Sequence, residues 1–296
     1  MVADGLVTVA APAKVNLYLH VTGRQGDGYH LLDTLVVFPG LGDVVTVAPS
    51  TEITLSTEGA FADQIPDGPD NLVLRAAHLL ACHAGVSQGA KITLHKHLPV
   101  ASGIGGGSAD AAATLTALST LWNLDLREDA LAELGLTLGA DVPMCVKGRA
   151  LFVGGIGEEF ANAPKMPEAA LVLVNPLKPV STPAVFKERT GSFTAVDRFE
   201  GPIRDAGHLA DLLSTRINDL ADAARRVEPN VGDVLDELTD LPGVLLTRMS
   251  GSGGTCFGLF QGMDTAAQAA LSLTTTRPDW WIKAAPLEFD SRIPFA

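Results

Sequence analysis

The chain has 296 residues, enough for one large domain or two ordinary ones at about 100–200 residues each. Its 21 basic and 34 acidic residues leave a formal net charge of −13, and 47% of its residues are apolar. The apolar share excludes wholesale disorder. The acidity argues against a sequence-independent nucleic-acid binder, which needs a basic footprint, and against docking on an anionic membrane.

Cys82, Cys145 and Cys256 are far apart and match no metal-ligand spacing, so three reduced thiols are expected. The opening residues MVADGLVTVA show no basic region followed by an apolar stretch. No apolar run approaches the ~18 residues of a membrane span. A soluble, cytoplasmic protein is the expectation.

In chain order, Val15, Leu17, Leu19 and Val21 alternate with Asn16, Tyr18 and His20, which predicts a strand with one buried face. Lys14 shares a face with Asn16. Arg24–Gly28 reads as a turn, followed by a strand through His30–Phe38 and shorter ones at Val44–Val47 and Ile53–Leu55. Asp70 is placed to cap a helix carrying Leu72, Val73, Ala76, Leu79 and Leu80. Lys91–Leu98 alternates again and puts Lys96 on the apolar face. Either the strand has ended and Lys96 reaches to water, or it lines a nucleotide pocket. His95 and His97 lack a visible third metal ligand and read as an exposed face.

The segment PVASGIGGGSAD (Pro99–Asp110) lies between that strand and an Ala-rich helix over Ala111–Trp122. Glycines there permit positive φ and close approach of backbone to a ligand. Successive N–H groups ahead of a helix N-terminus hold phosphate without lysines. The loop matches neither G-x-G-x-x-G nor G-x-x-x-x-G-K-[ST], which disfavours a Rossmann site and a P-loop. A helix over about Arg127–Leu138 ends at GADVP (Gly139–Pro143), where Asp141 is a helix cap by base rate or a free acid.

After the Pro-rich stretch Ala163–Pro167, the expected elements are a strand at Leu171–Asn175 and helices at Ser181–Lys187, His208–Ala224 and Asn230–Thr239. Strands at Val244–Met249 and Cys256–Phe260, a helix at Thr265–Thr275 and a strand at Trp280–Ala284 complete the series. The order matches a ferredoxin-like split βαβ arrangement with added helices. SGSGG (Ser250–Gly254) reads as a hairpin turn. Paired with the first glycine loop, it also suits a cleft between two halves.

The motifs PAKVN (from Pro12), DGYH (from Asp27), PVASGIGGGSADAA (from Pro99), GADVP and SGSGGTCFGLF (from Ser250) occur together in this order. Over essentially its whole length the chain resembles the 4-diphosphocytidyl-2-C-methyl-D-erythritol kinases. These form a family of the galactokinase–homoserine kinase–mevalonate kinase (GHMP) superfamily. The resemblance implies an α/β (α+β) chain of two domains with the ligand cleft between them. Residues 1–165 would be a ribosomal-protein-S5-like, ATP-binding domain, and residues 166–296 a ferredoxin-like C-terminal domain. It implies transfer of the γ-phosphoryl group of ATP to the 2-hydroxyl of the cytidyl-linked methylerythritol, a step of non-mevalonate isoprenoid synthesis.

By the same resemblance, Asp141 would be the general base, with Lys14 beside it stabilising developing charge. Asn16 would position the methylerythritol, His30 would bond the cytosine edge, and Tyr29 and Phe186 would stack on the ring. Gly251, Ser252 and Gly253 would face the substrate. Pro99, Ala101, Ser102, Gly103, Ile104, Gly105, Gly106, Gly107 and Ser108 would surround the ATP phosphates, with Asn71, Leu72 and Lys96 on the adenine side. Asp110, where some relatives carry asparagine, belongs to the same site with its role open. Mg2+ is expected with ATP, and no all-carboxylate cage is visible. The expected partners are these two small molecules, with no nucleic acid and no membrane, for a monomer or homodimer. Two other readings remain: a homoserine or sugar kinase of the superfamily, and a non-catalytic nucleotide-binding module.

Overall fold

The structure, a computed structural model, describes residues 5–66 and 68–290. Residues 1–4 of the N-terminal reading, and the outer ends of both expected domains, lie outside the described residues. In chain order the first half runs β1 (Val7–Pro12), β2 (Val15–Arg24), β3 (His30–Val37), β4 (Gly42–Ser50), β5 (Ile53–Glu58), α1 (Leu72–Ala84), β6 (Gly89–His95), α2 (Gly106–Leu121), α3 (Glu128–Leu136), α4 (Val142–Lys147), β7 (Leu151–Gly155) and β8 (Glu159–Asn162). The second half runs β9 (Ala170–Asn175), α5 (Thr182–Glu188), α6 (Ala206–Ser214), α7 (Ala221–Val227), α8 (Asn230–Thr239), β10 (Val244–Met249), β11 (Cys256–Phe260), α9 (Met263–Thr276) and β12 (Trp281–Pro286).

The strands form three four-stranded sheets, ordered β1-β4-β6-β5, β2-β3-β7-β8 and β10-β11-β9-β12. Among the described strands only β5 and β6 pair in parallel, joined through α1. The third sheet is antiparallel throughout, in the split βαβ order expected for this half. Strand β9 shows why that half reads as continuously apolar. Ala170, Val172 and Val174 face the core under the C-terminal helices. Leu171 and Leu173 face a second core shared with Val15, Leu17 and Phe152 of the first half. Period-two alternation therefore serves two apolar layers, and one continuous core joins the halves. Helix α2 is buried on nearly every side. Its alanines let it sit between β1, β4 and α1 without displacing them.

Several expectations need correction. Strand β2 is buried on both faces, because residues 195–219 cover the second one. Leu19 bridges to Asn218, and the His20 ring contacts the Ala195 carbonyl and the Ile217 amide. A register shift between Asn16 and Tyr18 also breaks the simple alternation. Strands β1, β7 and β8 were not expected. They are short, and β7 ends in two glycines, so they carry little periodic signal. The single helix expected over 208–224 is two helices, α6 and α7. Between them Asn218 and Asp219 bond backbone: Asn218 accepts from Leu220 N, and Asp219 accepts from Val21 N. Asn71, not Asp70, caps α1, its Oδ1 accepting from Val73 N at 2.8 Å. Helix α2 begins at Gly106, inside the glycine segment.

All three cysteines are free. Burial pushes the Cys145 and Cys256 thiols up, which leaves them unreactive. Among the described residues no helix is long and apolar enough to cross a membrane.

Asp33 on β3 is fully buried and ties the halves together. Its carboxylate accepts from Tyr18 Oη (2.8 Å), Arg198 Nε (2.7 Å) and Asp197 N (3.1 Å). Removing it would strand a half-buried guanidinium and a buried phenol. Asp33→Ala is expected to lower unfolding free energy by about 3–5 kcal/mol, read as a lower urea midpoint.

Candidate functional site

The glycine loop and the SGSGG loop interlock through their backbones. Gly103 has φ +76°, and a Cβ there would sit 2.2 Å from the Gly253 carbonyl oxygen. Thr255 donates to the Ser102 carbonyl from its amide (3.0 Å) and its hydroxyl (2.7 Å). Ser250 Oγ accepts from Asn16 N at 3.1 Å. The SGSGG segment is thus both the β10–β11 connection and the lid of the first loop. Two of the glycines serve protein packing as well as any ligand: Gly105, at φ +67°, would place a Cβ 3.1 Å from Lys14 Cβ. Ile104 is buried in the shared core, and its carbonyl accepts from Lys14 N at 2.8 Å. Ser102 is buried too, its hydroxyl spent on the Pro99 carbonyl. Ser108 sits in the first turn of α2. That helix starts without a side-chain cap, which leaves its first-turn N–H groups available to an anion.

Two cavities flank the loop. One, of about 210 Å3, is lined by Lys14, Asn16, Gly103, Gly105, Asp141 and Gly251, with Thr182, Phe186 and Ser252 at its far side. Lys14 Nζ donates to Asp141 Oδ2 at 3.2 Å. Asp141 stands at the N-cap position of α4 but makes no capping bond, so its carboxylate is turned to Lys14 instead. Asn16 Nδ2 donates to Thr34 Oγ1 (2.9 Å), while its Oδ1 is buried without a partner. That orphan acceptor suits a ligand hydroxyl. The His30 ring stacks on Phe186 at 4.9 Å between centroids, and Tyr29 is 63% exposed.

The other cavity, of about 320 Å3, is lined by Asn71, Leu72, Lys96, Pro99, Ala101, Gly106, Gly107 and Asp110. Lys96 does not reach to water. It is buried, with Nζ bonded to Asp43 Oδ2 (2.5 Å) and Asp110 Oδ2 (2.8 Å). Asp43 is further held by the amides of His97 and Leu98. One cation between two buried carboxylates leaves a surplus negative charge. Burial, and then the Asp43 charge against the opposing pull of Lys96, push Asp110 up to about 8. Burial alone lowers Lys96, but the two aspartates outweigh it and keep it charged. Asp110 Oδ1 is buried and unpartnered. Asn71 spends its side chain on the α1 cap and on the Pro66 carbonyl.

Thr34, Ser250, Thr182 and Asp43 were not found from the sequence, because each acts through a partner distant in the chain. Among the described residues no group of three His, Cys, Asp or Glu side chains is placed to hold a metal.

Family models for the GHMP kinases N-terminal domain and the GHMP kinases C-terminal domain match residues 71–149 and 195–278. The chain is 51% identical to a 4-diphosphocytidyl-2-C-methyl-D-erythritol kinase of Paramagnetospirillum magneticum, covering 95% of this chain and 98% of that one. It is 49% identical to the protein of the same name from Rhodospirillum rubrum, covering 99% and 97%. A crystal structure of 4-(cytidine 5'-diphospho)-2C-methyl-D-erythritol kinase aligns with a TM-score of 0.78 at 35% identity, over 96% of this chain and all of that one. A homoserine kinase from Cytophaga hutchinsonii aligns with a TM-score of 0.75 at 17% identity, covering 97% of each chain, a likeness of fold alone.

Two outcomes follow from the geometry. Gly103→Ala would impose about 1–3 kcal/mol from the left-handed φ alone, and its methyl would push the two loops apart. A lower thermal midpoint and weakened nucleotide binding by calorimetry are expected together. For Asp110, the raised folded value means the folded state keeps a proton that the unfolded state releases. Its contribution to stability therefore falls as pH rises from the ordinary carboxylate range towards about 8. Urea unfolding of Asp110→Asn should show an advantage over the parent that grows with pH across that window. A pH-independent difference would exclude the shift.

Proposed function

The chain belongs to the 4-diphosphocytidyl-2-C-methyl-D-erythritol kinase family, and on that premise we propose that it moves the γ-phosphoryl group of ATP onto the 2-hydroxyl of the cytidyl-linked methylerythritol, with Asp141 as general base. The observation that carries this reading is the pair of cavities on either side of one glycine loop. Gly106 and Gly107 face the larger cavity, and Gly103, Gly105, Lys14 and Asp141 face the smaller. A nucleotide in the first and an alcohol in the second would meet over the N-terminus of α2.

Phosphoryl transfer asks the protein chiefly for alignment and for stabilisation of spreading negative charge. The acceptor oxygen forms the new P–O bond as the bond to ADP breaks, and its proton passes to the Asp141 carboxylate. Lys14, bonded to that carboxylate and packed under Gly105, lies where charge accumulates. Backbone N–H groups from Gly106 to Ser108 would hold phosphate oxygens, with Pro99, Ala101, Ser102 and Ile104 shaping the loop. Asn71 and Leu72 would bound the adenine, with Lys96 and Asp110 as the polar floor. Magnesium would enter on the phosphates of ATP.

In the acceptor site Asn16 Oδ1 would take a methylerythritol hydroxyl, and Gly251, Ser252 and Gly253 would close over it. Burial first, then Arg24 and Arg189, lower the His30 pKa below its ordinary value, so the ring is neutral at pH 7. A neutral imidazole can donate and accept, as a cytosine edge requires. Phe186, already stacked on His30, and Tyr29 would supply faces for the base. We place the domain boundary between residues 165 and 166, in the segment joining β8 to β9. The same reading makes the protein a cytoplasmic monomer or homodimer without nucleic-acid or membrane partners.

The test is ADP release by purified protein with ATP, magnesium and the cytidyl acceptor, compared with homoserine and free sugars. Turnover confined to the cytidyl compound is expected. Asp141→Asn should cut kcat by ~10²–10⁴ while leaving ATP affinity at the parent value, because Asp141 lines only the acceptor cavity. A variant with near-parent kcat would remove Asp141 from the role of base.

A further inference from the structure

A cavity of about 560 Å3, larger than either of those flanking the glycine loop, lies on the other side of the 217–221 segment. It is bounded by the chain after α5, by α7 and α8, and by the edge strand β10. Six charged side chains line it, and of these Arg189, Arg248 and Asp219 are partly buried. Arg225, Asp222 and Asp236 stand exposed at its rim.

Of the two guanidiniums that are not exposed, Arg189 carries a buried donor without an acceptor, and Arg248 has no carboxylate partner among the described residues. The Arg189 side chain is only 7% exposed, and its Nε is buried with no partner. Its Nη atoms donate to the Gly191 and Ser192 carbonyls. Asp219, 3.9 Å away, is already engaged by Val21 N and Thr194 Oγ1. Arg248 donates to the Leu17 and Leu213 carbonyls and pairs with no carboxylate among the described residues. Burial lowers its pKa to about 10, with no opposing charge to hold it up. A part-buried cation without a counter-charge and a buried N–H without an acceptor each carry a cost. One oxyanion would relieve both; the lining carries three arginines and three aspartates, so what favours it is the unmet demand of these two guanidiniums and not a net charge.

We propose that this cavity is a second ligand site, taking a small metabolite through one phosphate or carboxylate group held by Arg189 and Arg248. Guanidinium forks match either oxyanion, and the volume is that of a small-molecule pocket rather than of a bare ion. The site lies outside the two cavities that flank the glycine loop and does not depend on the kinase reading, although Arg189 is near enough to His30 to lower its pKa. Its floor nevertheless touches them. Asn218 Nδ2 donates to the Gly251 carbonyl at 2.9 Å, and Leu220, two residues on, lines the acceptor cavity.

The experiment uses the full chain saturated with a non-hydrolysable ATP analogue, so that the glycine loop is filled. Glycerol 3-phosphate and glycerate are titrated separately, and arginine Nε–H signals are followed by 1H–15N NMR. Arg189→Lys and Arg248→Lys, checked for a parent-like amide spectrum, assign the signals. Saturable movement of the Arg189 signal is expected with at least one probe, and the responding probe identifies the oxyanion. Its affinity should fall about tenfold or more in Arg189→Lys, the loss of one buried charge-assisted bond. A silent Arg189 signal with both probes, or unchanged affinity in both variants, overturns the proposal.

Discussion

The structure turns on a contact between two peptide backbones. Gly103 and Gly253 approach so closely that no side chain could stand at Gly103, and the Thr255 bonds to the Ser102 carbonyl lock the approach. Everything the site needs is registered to that contact. The Ile104 carbonyl holds the Lys14 amide, Ser250 holds the Asn16 amide, and the loop then enters α2 with its first-turn N–H groups facing out. Two distant pieces of chain thus set the spacing between a cation, a carboxylate and an uncapped helix N-terminus. Backbone contacts of this kind lose no side-chain rotamers on ordering, which suits a site whose work is alignment.

The acidity of the chain takes a particular form around this frame. Lysines are few, and the two at the site are already committed: Lys14 to Asp141, and Lys96 between Asp43 and Asp110. Neither is a free phosphate clamp. An anionic ligand must then be met chiefly by peptide N–H groups, which add no net charge. A formal charge of −13 is compatible with binding phosphorylated molecules on those terms, while still opposing nucleic acid and anionic surfaces. The Lys96 cluster also gives the 320 Å3 cavity a polar floor whose charge depends on one proton at Asp110.

What the sequence disclosed was local. Period-two runs located β2 and β6, apolar runs located β3 and the strands of the C-terminal sheet, and the glycine segments marked both loops. The alternation at Lys14 and Asn16 placed both on one cavity wall. What escaped was long-range. Asp43 lies 53 residues from Lys96, and Asp33 lies 165 from Arg198, so neither pair leaves a spacing to read. The cover over the second face of β2 comes from residues 195–219, and only that cover explains why Tyr18 and His20 are buried. The break between α6 and α7 was hidden for a related reason. Its residues have helical composition, but Asn218 and Asp219 find backbone partners on β2 and the SGSGG loop that an unbroken helix would forgo.

These two scales of information divide the labour of the molecule. The interlocked loops and the shared core are built from glycines and aliphatic residues, whose roles depend on shape, so the same scaffold can persist while much of the sequence changes. The homoserine kinase likeness at low identity is an instance. Choice of acceptor cannot then reside in the interlock. On the function proposed above it would reside in side chains that project beyond it: Asn16 with its unpaired Oδ1, and the His30–Phe186 stack formed by the start of β3 against α5. Neither position takes part in the backbone contacts that hold the loops, apart from the Asn16 amide. Exchanging those side chains should therefore alter which alcohol is accepted while leaving the phosphate-facing geometry of α2 unchanged.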